Sequence, residues 1–315
     1  IGFPLLLGAS HLAVALVNWL ATLLATPHLL PRMDLSGGIP SELRALAVVP
    51  AMLTGTQNIE DLIEALEVRF LANRDDHLHF GLVTDFRDAI EETLPEDELL
   101  LRLAQQRIEE LNEKYGSPEG DTFFLFHRPR RWNPCERIWM GYERKRGKLA
   151  DLNGFLRGRS NDCFSLVVGG TAVLSDVKYV ITLDTDTQLA RDSARQLVGA
   201  IAHPLNRARY DEDQQRIVVG YGIIQPRVAV SLPSTERSRY TRMCANEFGI
   251  DPYTRAVSDV YQDLFGEGSF IGKGIYEVDA LEWALGGRFP ENRILSHDLL
   301  EGCYARAGLL SDVPV

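Results

Sequence analysis

Two acids one residue apart, Asp184 and Asp186, end the apolar, β-branched run Lys178-Tyr-Val-Ile-Thr-Leu-Asp-Thr-Asp-Thr187. Side chains at i and i+2 of a strand point to the same face, so both carboxylates can converge on one cation or diphosphate. Hard divalent ions such as Mg²⁺ bind through one or two carboxylates plus substrate phosphates. The same acids also suit the cap of a helix beginning near Ala190. A second cluster, Ser296-His297-Asp298, opens a helix predicted to run through Ala305. There Ser296 reads as an N-cap and Asp298 as a favourable first-turn acid; an acid in that place, facing a substrate, could equally act as a general base. Between them lies Phe265-Gly266-Glu267-Gly268-Ser269-Phe270-Ile271-Gly272-Lys273-Gly274, whose glycines permit either a tight turn or close approach of backbone to a ligand. From Arg128 to Lys148 basic residues outnumber acids, with Lys145 and Lys148 near a helix start, and such side chains suit either solvent or phosphate oxygens.

Positioning these groups requires a sheet with its acids at one edge. The run into Asp184 is continuously apolar, the mark of a parallel strand covered on both faces, and ligands of open α/β sheets sit beyond the carboxyl ends of such strands. Alternation of strands and helices supports that class: strand 45–52, helix 59–71, strand 78–84 ending at Asp85, helix 96–114 with Leu99 and Leu103 on its apolar face, and strand 122–126. Beyond the central strand come a helix over 190–201 and two strand segments in 217–228 joined around Gly220 and Gly222.

The bulk properties exclude some classes. The chain has 315 residues, and with Lys+Arg 33 against Asp+Glu 44 its net charge of −11 argues against a nucleic-acid-coating role. Cys135, Cys163, Cys244 and Cys303 form no C-x-x-C pair, so they read as buried small apolar residues in a reducing setting. Residues 1–31 carry no Asp, Glu, Lys or Arg, and Phe3 to Leu24 is long enough to cross a hydrocarbon core of about 30 Å, which predicts a membrane-spanning helix in contact with lipid. A breaker cluster, Pro27, Pro31, Gly37, Gly38 and Pro40, then separates a 1–35 segment from a 36–315 domain. Because it begins at Ile1 and stops at Val315 after a strand-like stretch, the chain reads as an excised piece of something longer.

The order of the stretches Val48-Val49-Pro50-Ala51-Met52-Leu53-Thr54, Asp85, Lys145 to Asn153, Asp184-x-Asp186, the glycine-rich run and His297-Asp298 resembles that of family 2-like glycosyltransferases with the GT-A fold. The stretches LPRMDLSGGIP, ITLDTDT, GEGSFIGKGIYEV and SHDLLEG are similar to those of the glucosyltransferase domain of cyclic β-1,2-glucan synthases. What the resemblance implies is a Rossmann-like, mostly parallel sheet and inverting transfer of glucose from UDP-glucose to a growing β-glucan, with Mg²⁺ or Mn²⁺, on the cytoplasmic face of a bacterial inner membrane. Carried across, Asp186 holds the metal and diphosphate. Pro50, Thr54, Asp85, Lys145, Lys148, Asn153 and Asp184 bind the nucleotide sugar, with Asp85 on the uracil. Gly266, Glu267, Gly268, Ser269 and His297 meet the acceptor, and Asp298 deprotonates its hydroxyl. The Q-x-x-R-W motif of processive relatives is not present. Two other readings stand beside this one. A HAD-type phosphatase also uses D-x-D after an apolar strand, but wants Thr or Val where this chain has Gln188. A degenerate transferase-like module would dock partners in a glucan-export complex without catalysis.

Overall fold

Residues Ala45–Leu53 form β1, and its side chains explain why the apolar runs do not alternate. Ala45, Ala47, Val49, Ala51 and Leu53 enter one hydrophobic core while Leu46 and Val48 enter another on the opposite face. The strand leading into the acids, Tyr179–Thr182 (β7), divides the same way, with Tyr179 and Ile181 on one side and Val180 on the other. The computed structural model describes residues 2–116, 120–159, 162–229, 259–294 and 296–315.

The remaining strands are Leu78–Phe86 (β2), Phe123–His127 (β3), Arg131–Asn133 (β4), Ile138–Met140 (β5), Leu166–Val168 (β6), Arg209–Asp211 (β8), Arg216–Val219 (β9), Ile223–Arg227 (β10), Gly274–Glu277 (β11) and Ala307–Pro314 (β12). Among the described residues eight of them make one sheet in the order β12-β10-β11-β7-β1-β2-β3-β6. β7, β1, β2 and β3 run parallel and β12 is parallel to β10, whereas β11 and β6 are antiparallel to their neighbours. The architecture is thus mixed α/β around a mostly parallel sheet. Of the two segments expected in 217–228, only β10 joins it; β9 pairs with β8 in a separate hairpin.

On one face lie Thr56–Ala72 (α2), Asp97–Tyr115 (α3) and Ser193–Ala202 (α5), and on the other Arg144–Leu156 (α4), Val278–Leu285 (α7) and Asp298–Ala305 (α8). The buried face of α2 is Ile59, Leu62, Ile63, Leu66 and Phe70, each worth about 1.5–3 kcal/mol on burial. In α3 the core stripe is Leu100, Ala104, Ile108 and Leu111, one position on from the expected stripe, and Leu99 is exposed. A short helix, Val260–Phe265 (α6), precedes the glycine-rich run.

The N-terminal expectations need correction. Gly2–Leu24 (α1) is helical, and Leu12, Leu16, Trp19 and Leu20 are exposed. His11 and Asn18 interrupt its apolar surface, and among the described residues no helix is long and apolar enough to cross a membrane. The breaker cluster does not detach the following segment either. Asn206 donates to the Pro31 carbonyl at 2.8 Å, the Met33 amide donates to the Gly199 carbonyl at 2.9 Å, Arg32 pairs with Asp312 at 2.9 Å, and Leu35 is buried. A side chain at Gly199 would lie 2.6 Å from the Met33 carbonyl, so glycine is what lets the strap approach α5. Cys163 is buried as expected, but Cys135 and Cys303 are exposed; Cys244 lies outside the described residues.

Candidate functional site

The parallel strands β1, β2, β3 and β7 end along one edge, and beyond it Asp184 sits at the close of β7. Next to it is a cavity of about 490 Å³ whose walls include Glu143, Lys145, Gly272, His297, Asp298 and Glu301. Helix α4 supplies the first wall. It starts abruptly because Glu143 and Arg144 take left-handed backbone angles, φ 51° for both, which turn the chain so that Lys145 projects into the site.

Lys145 ties two elements together, donating to Asp184 Oδ1 at 2.5 Å and to the Gly272 carbonyl at 2.6 Å. Lys273 approaches the other oxygen, Asp184 Oδ2, at 3.1 Å. Burial works against ionising Asp184, yet the hydrogen bonds and charges of Lys145 and Lys273 hold its carboxyl below the usual carboxylate range. The turn that follows is clamped from beneath. The buried Arg69 guanidinium of α2 donates to the carbonyls of Asp184 at 3.3 Å, Thr185 at 3.0 Å and Thr187 at 2.7 Å. Burial lowers the Arg69 pKa and the negative charge of Asp186 opposes that shift. Asp186 itself is exposed.

At the start of α8 no side chain caps the helix, so the capping role expected of Ser296 is not made and Asp298 faces the cavity. Burial is the main cause that raises the Asp298 pKa, and Asp184 adds to it, while Lys145, His297 and Lys273 pull the other way. Gly272 makes the close approach possible. Its φ is +82°, and a Cβ there would meet both Asp298 carboxylate oxygens within 2.9 Å. One turn further along, Glu301 lines the same cavity and a smaller one of about 190 Å³ behind it. Burial and the neighbouring Asp298 push its carboxyl up to about 7. His297 is 3.8 Å from Glu143, and burial and Arg146 lower its pKa.

Other expected site residues stand elsewhere. Asp85, assigned to the uracil, is 2% exposed and lies between Lys148 at 2.8 Å and Arg128 at 3.1 Å. The Gly141 backbone closes over it so tightly that a Cβ would fall 1.8 Å from Asp85 Oδ2. Direct contact with a base is therefore blocked in this conformation, and Asp85 instead neutralises two buried cations that anchor α4. Lys148 serves that pair, and Asn153 accepts from the Tyr276 hydroxyl at 2.9 Å at the smaller cavity. Pro50 lies within β1, and exposed Thr54 follows its carboxyl end. Gly266, Glu267, Gly268 and Ser269 do not line the 490 Å³ cavity. Gly266, with φ 71°, ends α6, and the Gly268 amide donates to the Ala307 carbonyl at 2.7 Å. Sequence reasoning missed Arg69, Lys273 and Glu301. Only Lys273 carried a local signal, being a cation within a glycine-rich run.

Among the described residues no group of three or more His, Cys, Asp or Glu side chains is placed to hold a metal ion. Asp184 is taken by two lysines, but Asp186 is an exposed carboxylate directly beyond a strand end. One such carboxylate plus phosphate oxygens is a set that Mg²⁺ or Mn²⁺ accepts, so the residues fit an ion brought in with a diphosphate.

No family model matches the chain. Over 308 residues, 98% of its length, it is 45% identical to cyclic β-(1,2)-glucan synthase NdvB of Rhizobium meliloti (strain 1021), of which it spans only 11%. Among solved structures, S. aureus TarS 1–349 aligns over 85% of this chain and 58% of that one, with 12% identity and a TM-score of 0.42. Galactosyltransferase LgtC, in complex with donor and acceptor sugar analogues, aligns over 84% and 72% with 10% identity and a TM-score of 0.33.

Proposed function

We propose that this chain, homologous over nearly its whole length to one segment of a cyclic β-(1,2)-glucan synthase, is the glycosyl-transferring unit of a glucan-synthesising protein. It has a GT-A-type fold and uses UDP-glucose as donor and a growing β-glucan as acceptor. The observation that carries this reading is that Asp298 lines the same cavity as Lys145, which holds the strand-end acid Asp184.

In this reading the acceptor hydroxyl enters the cavity beside Asp298. Near neutral pH such a hydroxyl is a weak nucleophile until a carboxylate takes its proton, and the raised pKa of Asp298 makes it a stronger proton acceptor than an exposed aspartate. As the proton passes to Asp298, the acceptor oxygen bonds to the anomeric carbon and the bond from that carbon to the β-phosphate oxygen breaks. Inversion needs only this one base; a glycosidase would need two carboxylates flanking one bond. Lys145 orients the donor while anchored on Gly272, and Arg69 fixes the turn that presents Asp186. Asp186 and the donor phosphates would hold Mg²⁺ or Mn²⁺, which when bound neutralises the leaving diphosphate as a Lewis acid. The exposed apolar side chains of α1 suit contact with a lipid surface, which agrees with a place at the cytoplasmic face of a bacterial membrane.

The test is incubation of the full-length protein carrying this chain with UDP-glucose, followed by linkage analysis of any glucan. A β-1,2-linked glucan is the expected product. Consumption of UDP-glucose without glucan would contradict glucan synthesis, and no consumption by a protein that binds UDP would favour the docking-module reading.

A further inference from the structure

Lys273 lies outside the residues that the site's resemblance assigns, yet its position is specific. Its ammonium nitrogen is 3.1 Å from Asp184 Oδ2, while Lys145 occupies Oδ1 at 2.5 Å, so two cations share one carboxylate at the end of the central strand. The Lys273 side chain is 18% exposed, so its charge is not a solvated surface charge. Lys145 is also bonded to the carbonyl of Gly272, the residue that precedes Lys273 in the chain. The pair therefore joins α4 to the loop before β11. That same loop brings Gly272 against the Asp298 carboxylate, which sets the two ammonium groups beside the base.

The two ammonium groups carry three N–H donors each, and Asp184 with the Gly272 carbonyl accepts only part of these, which leaves an excess of charged donors between Asp184 and Asp298. An anion with several oxygens would satisfy that excess with charge-assisted hydrogen bonds, which are about twice as strong as neutral ones. We propose that Lys273, with Lys145, binds the diphosphate of the nucleotide donor through the protein's own charge and stabilises it as it leaves. This rests on the transferase reading above. In the transfer step the electron pair of the cleaved bond stays on the β-phosphate oxygen, the acceptor proton passes to Asp298, and the Lys273 ammonium donates to the charge that develops on the diphosphate. Lys273 neither gains nor loses a proton. Asp184 acts as the holder that keeps both lysines in place before the donor arrives.

The experiment is calorimetric titration of the folded protein with UDP, with uridine and with inorganic pyrophosphate, once in excess chelator and once with Mn²⁺. Parent protein should bind UDP in chelator about tenfold or more tightly than uridine, the size expected of one or two charge-assisted hydrogen bonds. Lys273→Met should lose most of that difference while leaving uridine affinity unchanged, and Lys273→Arg should restore it. Equal affinity of the parent for UDP and uridine in chelator would overturn the inference with no variant needed. So would a folded Lys273→Met that binds UDP as the parent does. A parent protein that binds UDP under neither condition would instead overturn the transferase reading itself.

Discussion

Residue chemistry at this site is set by burial as much as by residue type. Glu301 shows this, because an unfolded glutamate ionises near 4.5 and this one near 7. Between those values the native chain holds a proton that the unfolded chain has released. The contribution of Glu301 to stability therefore falls as pH rises from about 4.5 to about 7 and is level above that. Glu301→Gln has no such proton, so its Tm should decline less than the parent's over this interval; parallel Tm-against-pH curves would refute the assignment. At Asp186 the expectation is different, since an exposed strand-end acid contributes ligation and little packing. Asp186→Ala should lose the metal-dependent part of UDP affinity with Tm nearly unchanged, and a variant whose UDP affinity still rises with Mn²⁺ would contradict that role. Asp184, Asp186 and Asp298 were legible in the sequence because local spacing put them at a strand end and a helix start. Glu301 and Arg69 were not, because what they do depends on what the fold packs around them. The surroundings of Asp85 were hidden for the same reason: its place after a strand was visible, but not the Gly141 backbone that covers it.

At the scale of elements, the contact that matters most runs from α2 to the turn after β7. Arg69 satisfies three carbonyls there from a position that is 4% exposed. Arg69→Leu would leave the buried Thr187 carbonyl unpaired at about 1–3 kcal/mol, so Tm should fall by several degrees. The diagnostic effect is on ligand binding. If the clamp fixes the turn, UDP affinity in Mn²⁺ should drop together with Tm, whereas Lys145→Met should weaken UDP with little loss of Tm. Undiminished UDP affinity in a folded Arg69→Leu would show that the turn holds its shape without the clamp. The helices and parallel strands themselves were readable, since period and breaker residues mark them. The antiparallel insertion of β11 between β7 and β10 was not, because nothing local in Gly274–Glu277 specifies its neighbours.

For the whole molecule, the segment before the boundary expected at residue 35 is in contact with the sheet domain, since residues 28–33 bond to α6, to α5 and the turn that follows it, and to β12. Removing residues 1–25 should leave Tm almost unchanged and abolish any co-sedimentation with lipid vesicles. Removing residues 1–35 should lower Tm by several degrees, since it also strips buried Leu35 and the strap's hydrogen bonds. Equal Tm values for the two truncations would show that the strap contributes nothing. The activity proposed for the molecule turns on Asp298 accepting a proton, which Asn cannot do at nearly the same size. Glucose transfer and UDP affinity should therefore be measured for the full-length protein and its Asp298→Asn variant in parallel. The account predicts transfer lowered on the order of 10²- to 10⁴-fold with UDP affinity nearly intact; transfer within a few-fold of the parent would contradict it.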